Sequence, residues 1–377
     1  MNRRRRAYDV TFVTLVLAAM LDGGCAATGS VRREPFAPVT LTADTSAVRV
    51  ATHGDLLDRL SGKNTAGEAG WLEVFLYGPS DRPNRYLRNP QGLAVRGGSL
   101  FVCDQGFPDV LKIDLETGGI RRWTALDDRP AAPMDVAVDE NGGVFVADVT
   151  LGAVLVYGED GRLVRKLLPT ADPAVDFRPT SVLIGHGVLY VGDRAARRIH
   201  RYDLARDEWL PAWAPPESGA ALGAPTGLAF TPEHMLLVAD AISGVVHRID
   251  QEGTWLTPIG RRGRRPGEFV RPVHVCCAES GLIVVTDAAK QSVSIFDVDG
   301  GFVTEVSTRR DGRPGLTLPA GVVSVPRNVL GPAFSSASNQ ETVKTNDRTD
   351  WFLVSDTLGA DSLTLFSVTP ASPGGPH

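Results

Sequence analysis

Six times along this chain a proline opens a short apolar run, and the spacing between openings barely changes. The runs are Pro90-Gln-Gly-Leu-Ala-Val95, Pro133-Met-Asp-Val-Ala-Val138, Pro179-Thr-Ser-Val-Leu-Ile184, Pro225-Thr-Gly-Leu-Ala-Phe230, Pro272-Val-His-Val-Cys-Cys277 and Pro319-Ala-Gly-Val-Val-Ser324, at steps of 43, 46, 46, 47 and 47 residues. A second apolar run follows each and ends in Asp104, Asp148, Asp193, Asp240, Asp287 or Asp356. A third alternates apolar with polar residues, as in Val110-Leu-Lys-Ile-Asp114, and a fourth, weaker one is typified by Ile120-Arg-Arg-Trp123. Alternation at two residues excludes a helical solenoid. Four short strands in about 45 residues are the unit of a propeller. One four-stranded sheet leaves both faces wet, and stacking such sheets around an axis buries each face on its neighbour. The expected fold is therefore all-β: a six-bladed β-propeller of four-stranded antiparallel blades over residues 70–369. The 40 Gly and 26 Pro suit its many turns.

Ring closure follows from counting strands. After Leu363-Thr-Leu-Phe366 the chain runs into a Pro/Gly tail, residues 370–377, so the sixth repeat supplies three strands. Trp71-Leu-Glu-Val-Phe-Leu-Tyr77 is a spare β-rich run. It is expected to act as an N-terminal closing strand, pairing in the sixth blade and removing the open edge. The sixth repeat also carries a Ser/Asn/Thr-rich insertion near Arg327–Asp350.

Residues 1–24 read as a leader. Arg3 to Arg6 precede an uncharged run from Val10 to Leu21, the layout of a secretory signal peptide. Twelve helical residues reach about 18 Å, short of the ~30 Å hydrocarbon core. Gly24-Cys25 resembles the end of a bacterial lipobox, with Asp22 where that motif has Leu. That resemblance implies lipidation at Cys25 and a lipoprotein of the bacterial envelope, and Ala26 after the cysteine implies the outer membrane, facing the periplasm. Residues 25–69 then form a tether and N-terminal segment. The leader carries four Arg and two Asp, so the remainder has net charge −7 against −5 for the whole chain. An acidic exported chain is no nucleic-acid partner. Cys103, Cys276 and Cys277 are an odd set, expected as free buried thiols.

The motif Pro-x-Gly-φ-Ala-Val (φ, apolar) followed by φ-φ-Val-x-Asp resembles the repeat of the NHL family of six-bladed propellers. The linker Gly260-Arg-Arg-Gly-Arg-Arg-Pro-Gly-Glu-Phe269 resembles that family's inter-blade segment. The resemblance spans about residues 70–369. Peptidylglycine amidating lyases, related propellers, bind zinc with several channel histidines. Here only His274 has such a place, so no metal and no cofactor are expected.

The repeated Asp residues read as turn acceptors of backbone N–H groups rather than ligands. The candidate site lies where the repeats differ. Two residues after the repeat prolines stand Gly92, Asp135, Ser181, Gly227, His274 and Gly321. Asp135, Ser181 and His274 break the glycine pattern and are expected at one channel mouth. Arg194, Arg197 and Lys290, in loops after second strands, are expected to ring that mouth and select an anionic group. Asp135 and His274 belong to opposite blades, expected too far apart to share a metal. No nucleophile elbow or phosphate loop occurs. The reading favours an envelope-anchored binding or scaffold protein whose propeller face takes a protein, peptide or glycan, touching the membrane through its anchor alone. The alternative is a channel-site enzyme, a metal-dependent lyase or lactone-type hydrolase.

Overall fold

The computed structural model describes residues 87–117, 119–169, 176–216, 221–306, 316–329, 349–357 and 363–370, together with strands Tyr8–Leu15, Val39–Leu41, Val48–Val50 and Thr52–His53. Every repeat proline starts an inner strand: Pro90–Arg96, Pro133–Val138, Pro179–Gly185, Pro225–Phe230, Pro272–Cys277 and Pro319–Val325. Each inner strand contacts the next, and the last returns to the first, so they close around one axis. The first five each lead an antiparallel four-stranded blade built in chain order from the axis outward. The architecture is a β-propeller.

The sixth sheet departs from expectation. Its order is Pro319–Val325, Asp350–Asp356, Leu363–Pro370, Tyr8–Leu15, Thr52–His53, five strands with the last pairing parallel. There are thus five four-stranded blades, not six. Both edges of Leu363–Pro370 are occupied, by Asp350–Asp356 and by Tyr8–Leu15 in an eight-residue antiparallel register. The pairing expected of Trp71–Tyr77 is therefore not made there, and that segment lies outside the described residues. The physical reason is composition: Tyr-Asp-Val-Thr-Phe-Val-Thr-Leu is rich in aromatic and β-branched residues, and such a run suits a strand as well as a leader core.

Apolar residues alternate so that each blade offers one face to each neighbour, and six buried clusters lie between adjacent sheets. Phe101, Trp123, Val146 and Tyr157 join the first two blades, for example. Phe352 and Phe366 stack in the cluster joining the fifth blade to the sixth sheet. Hydroxyls stitch the blades near the axis. Thr286 donates to Ala320 O at 2.6 Å and Ser355 to Gln91 O at 2.7 Å.

The repeated Asp residues do what was expected of them. Asp148 Oδ1 accepts N–H bonds from Thr150 and Leu151 in the following turn, and Oδ2 accepts from Ala131 and Ala132 ahead of the inner strand. Asp104, Asp193, Asp240, Asp287 and Asp356 also accept from the segment before their inner strands. Each carboxylate pins the start of an inner strand to the end of the second. That fixes the height at which the next residues meet the axis.

Candidate functional site

The proline that opens each inner strand has no N–H to give its neighbour. In all six sheets the register between first and second strands shifts between that proline and the residues two or three later. A bulge of this kind re-aims side chains, and here it brings the positions two after proline together on the axis. A Cβ on Gly92 would lie 2.1 Å from Asp135 Oδ1, one on Gly227 2.6 Å from His274 Cα, and one on Gly321 2.4 Å from Gln91 O. Gly92 and Gly227 leave the space that Asp135 and His274 fill, and Gly321 lets its strand close on Gln91 of the first blade.

These two side chains, from opposite blades, meet. His274 Nε2 stands 3.5 Å from Asp135 Oδ1. The expectation that the ring would hold them apart is corrected: glycines at the equivalent positions of the first, fourth and sixth inner strands let the strands draw in. Asp135 is 2% and His274 8% exposed. The Val182 N–H of the next inner strand donates to Asp135 Oδ2 at 3.0 Å, and the Val136 N–H to Oδ1 at 3.0 Å, so the carboxylate is held from two sides. Among the described residues neither imidazole nitrogen has a hydrogen-bond partner. At 3.5 Å the pair is a polar contact too long for a good hydrogen bond, a looseness common in catalytic pairs before substrate enters.

Ser181 does not join them. Its hydroxyl turns into its own blade, 2.3 Å from where a side chain on Gly192 would begin, and the residue is fully buried. Lys290 is not a mouth cation. Its side chain is 5% exposed, and its ammonium donates to Arg265 O at 3.2 Å and Glu268 O at 2.9 Å and pairs with Glu305. It ties the Arg-rich linker to its blade. Arg194 and Arg197 are exposed, at the end of the strands where Asp193 pairs with Pro179.

A cavity of about 280 Å³ extends the other way. Asp135 and His274 are its floor. Its walls are residues three to five after each proline, and its far rim is Val95, Val138, Ile184, Phe230, Cys277 and Ser324. The expected single working face thus splits. Arg194 and Arg197 lie beyond one end of the pair, and the cavity opens beyond the other. The side on which the cavity opens carries no sequence signal, because it depends on how far six inner strands splay.

Third-strand histidines also have defined tasks. His247 Nε2 donates to Asp240 at 3.0 Å and His200 Nε2 to Asp193 at 3.1 Å. Burial favours the neutral acid at Asp240. The His247 contact and four backbone N–H groups outweigh it and hold this carboxyl well below the usual range. Cys103, Cys276 and Cys277 are free thiols, as expected, but only Cys103 and Cys276 are buried and Cys277 is half-buried. Burial, with help from the Glu233 and Asp350 charges, pushes Cys277 up to about 12.

The chain matches no protein-family profile. It is 30% identical to an L-arabinolactonase of Azospirillum brasilense over 114 residues, 29% of this chain and 36% of that enzyme. It is 32% identical to the RING finger protein nhl-1 of Caenorhabditis elegans over 71 residues, 19% of this chain and 7% of that protein. The matches therefore span about a third and under a tenth of those relatives. Among solved structures, a gluconolactonase from Xanthomonas campestris superposes with TM-score 0.53 at 14% identity, over 76% of this chain and 87% of that one. A catalytically inactive virginiamycin B lyase from Staphylococcus aureus, with quinupristin, superposes with TM-score 0.50 at 14% identity, over 76% and 97%. What this chain shares with them is the β-propeller fold.

Proposed function

We propose that this chain is a channel-site enzyme, a lyase or lactone-type hydrolase, with His274 as its acid–base group and Asp135 as the carboxylate that orients and charge-balances the imidazole. The observation that carries the reading is the buried Asp135–His274 contact at the floor of a cavity, with both imidazole nitrogens unsatisfied. A buried polar group without a partner costs stability, so one retained at a cavity floor points to use. The Asp135 carboxylate favours the tautomer with Nε2–H toward it, leaving Nδ1 as a base. In lactone hydrolysis His274 would take a proton from the attacking water and return it to the leaving ring oxygen. In a lyase it would take the proton beside the activating group and pass it to the departing atom. Either cycle needs one base that gives its proton back.

A resident metal fits this donor set poorly. A catalytic zinc takes three protein ligands. Among the described residues no three His, Cys, Asp or Glu side chains come together. The proposal therefore routes no step through a metal. The binding-scaffold reading is set aside. Lys290 is engaged inside the fold, and Asp135 and His274 face a cavity rather than a partner's surface. The lactone and lyase names among the similar proteins favour the same choice.

The test is turnover of a panel of γ- and δ-lactones, followed by acid release, by the full chain and by His274→Ala. Hydrolysis of at least one lactone, with kcat lowered about 10²–10⁴-fold in the variant, is expected for a lost general base. Equal rates for both proteins would refute the assignment.

A further inference from the structure

His186 and His234 stand side by side just beyond the cavity rim, at the tips of the turns that join first and second strands in the third and fourth blades. Their ring centroids are 4.3 Å apart, edge to face, and both residues are exposed. His186 follows Gly185, the last residue of its inner strand, and rests 5.6 Å from the rim residue Phe230. The ring of Phe230 in turn lies on the bare backbone of Gly185, where a Cβ would come within 2.4 Å. Phe230 thus supports the His186 side of the pair.

Both histidines occupy backbone positions that glycine fills in sister blades. His186 has φ 54° in a two-residue hairpin turn, where the first blade has Gly97 at φ 52°. His234 has φ 64°, where the second and fifth blades have Gly142 at 81° and Gly281 at 87° in turns with the same hydrogen bonds. A left-handed conformation is strained for a residue with a Cβ, and glycine relieves it. The turn geometry therefore does not ask for histidine at either place. Two independent departures bring imidazoles into contact.

We propose that His186 and His234 form a binding site for a divalent transition-metal ion, zinc or copper, at the cavity rim. Imidazole suits these ions, and a Zn–N bond of about 2.0–2.1 Å is within reach of two exposed rings at this separation once one of them rotates. The exposed Glu233 is next in sequence to His234. No third His, Cys, Asp or Glu joins the pair among the described residues, so water completes the coordination and the ion exchanges. The site is separate from the cavity floor and does not depend on the acid–base reading of His274.

Zinc alone is the probe, titrated into the full chain and followed by calorimetry and by melting temperature. The variants are His186→Gly and His234→Gly, which restore the residue that sister turns carry and therefore should fold. The wild type is expected to bind one zinc at this site and to melt higher with it. Each variant should bind at least about tenfold more weakly, a change of roughly 1.4 kcal/mol. Without zinc each should melt at or above the wild-type temperature. His274→Ala should bind zinc as the wild type does. No uptake by the wild type below millimolar zinc, or wild-type affinity in either glycine variant, would overturn the proposal, as would loss of uptake in His274→Ala.

Discussion

Gly92→Ala strikes the site through the strand that faces it. The new Cβ would start 2.1 Å from Asp135 Oδ1 and 2.5 Å from Asp135 Cα. Carbon contacts settle at about 3.5–4.0 Å, so the first and second inner strands must part by roughly an ångström. The neighbour is backbone as well as side chain, and rotation of Asp135 alone does not relieve it. Overpacking of this kind costs about 1–3 kcal/mol. The same shift displaces Asp135 relative to the Val182 N–H and to His274, and about 1 Å of misplacement in a catalytic group can cost ~10²-fold in rate. Gly119→Ala is the control, because among the described residues a Cβ there meets only Thr117 Oγ1, at 3.5 Å. Urea denaturation and lactone turnover should separate the two variants: Gly119→Ala near wild type in both, Gly92→Ala lower in both. A Gly92→Ala protein with wild-type midpoint and wild-type kcat would refute the account of how the axis is packed.

Other outcomes follow from the same geometry. Asp240→Ala strips the acceptor from four backbone N–H groups and His247 and should cost about 3–5 kcal/mol in urea denaturation. Because the folded carboxyl is held below its unfolded value, its stabilisation is present above about pH 4 and is lost as pH falls further. The wild-type urea midpoint should therefore drop below pH 4 more steeply than that of Asp240→Asn. In a Cys25→Ser background no thiol of the folded protein should react with a disulfide reagent at pH 8, given burial of Cys103 and Cys276 and a Cys277 thiol pushed up to about 12. We propose that Cys25 carries a lipid in the envelope, and intact mass of the membrane-bound protein tests it. A lipidated terminus at Cys25 is expected, and a chain that keeps Tyr8–Leu15 would instead leave those residues as the strand beside Leu363–Pro370.

The propeller was legible in the sequence because its signals are local. Proline removes a donor and opens each inner strand, and the Asp fourteen to thirty-seven residues on accepts N–H bonds back across that opening. The position two after proline was also legible as the place where repeats differ. That Asp135 and His274 touch was not, since their distance depends on the ring's inner radius. That radius is set by Gly92, Gly227 and Gly321, each of which must be read against a residue in another blade. Lys290 misled because a loop lysine reads as solvated, whereas its carbonyl partners Arg265 and Glu268 come from the preceding linker. The leader and the sixth sheet were confounded for one reason: Tyr8–Leu15 has a composition that serves either.

A double-mutant cycle on Asp135→Asn and His274→Ala tests the central claim most directly, with kcat measured on whichever lactone the wild type opens. If the two residues act as one acid–base unit, each single change lowers kcat about 10²–10⁴-fold, and the double variant is no slower than the worse single by more than a few-fold. If the two losses multiply, or if Asp135→Asn leaves kcat at the wild-type value, the 3.5 Å contact on the axis is a packing feature and not the working centre of this protein.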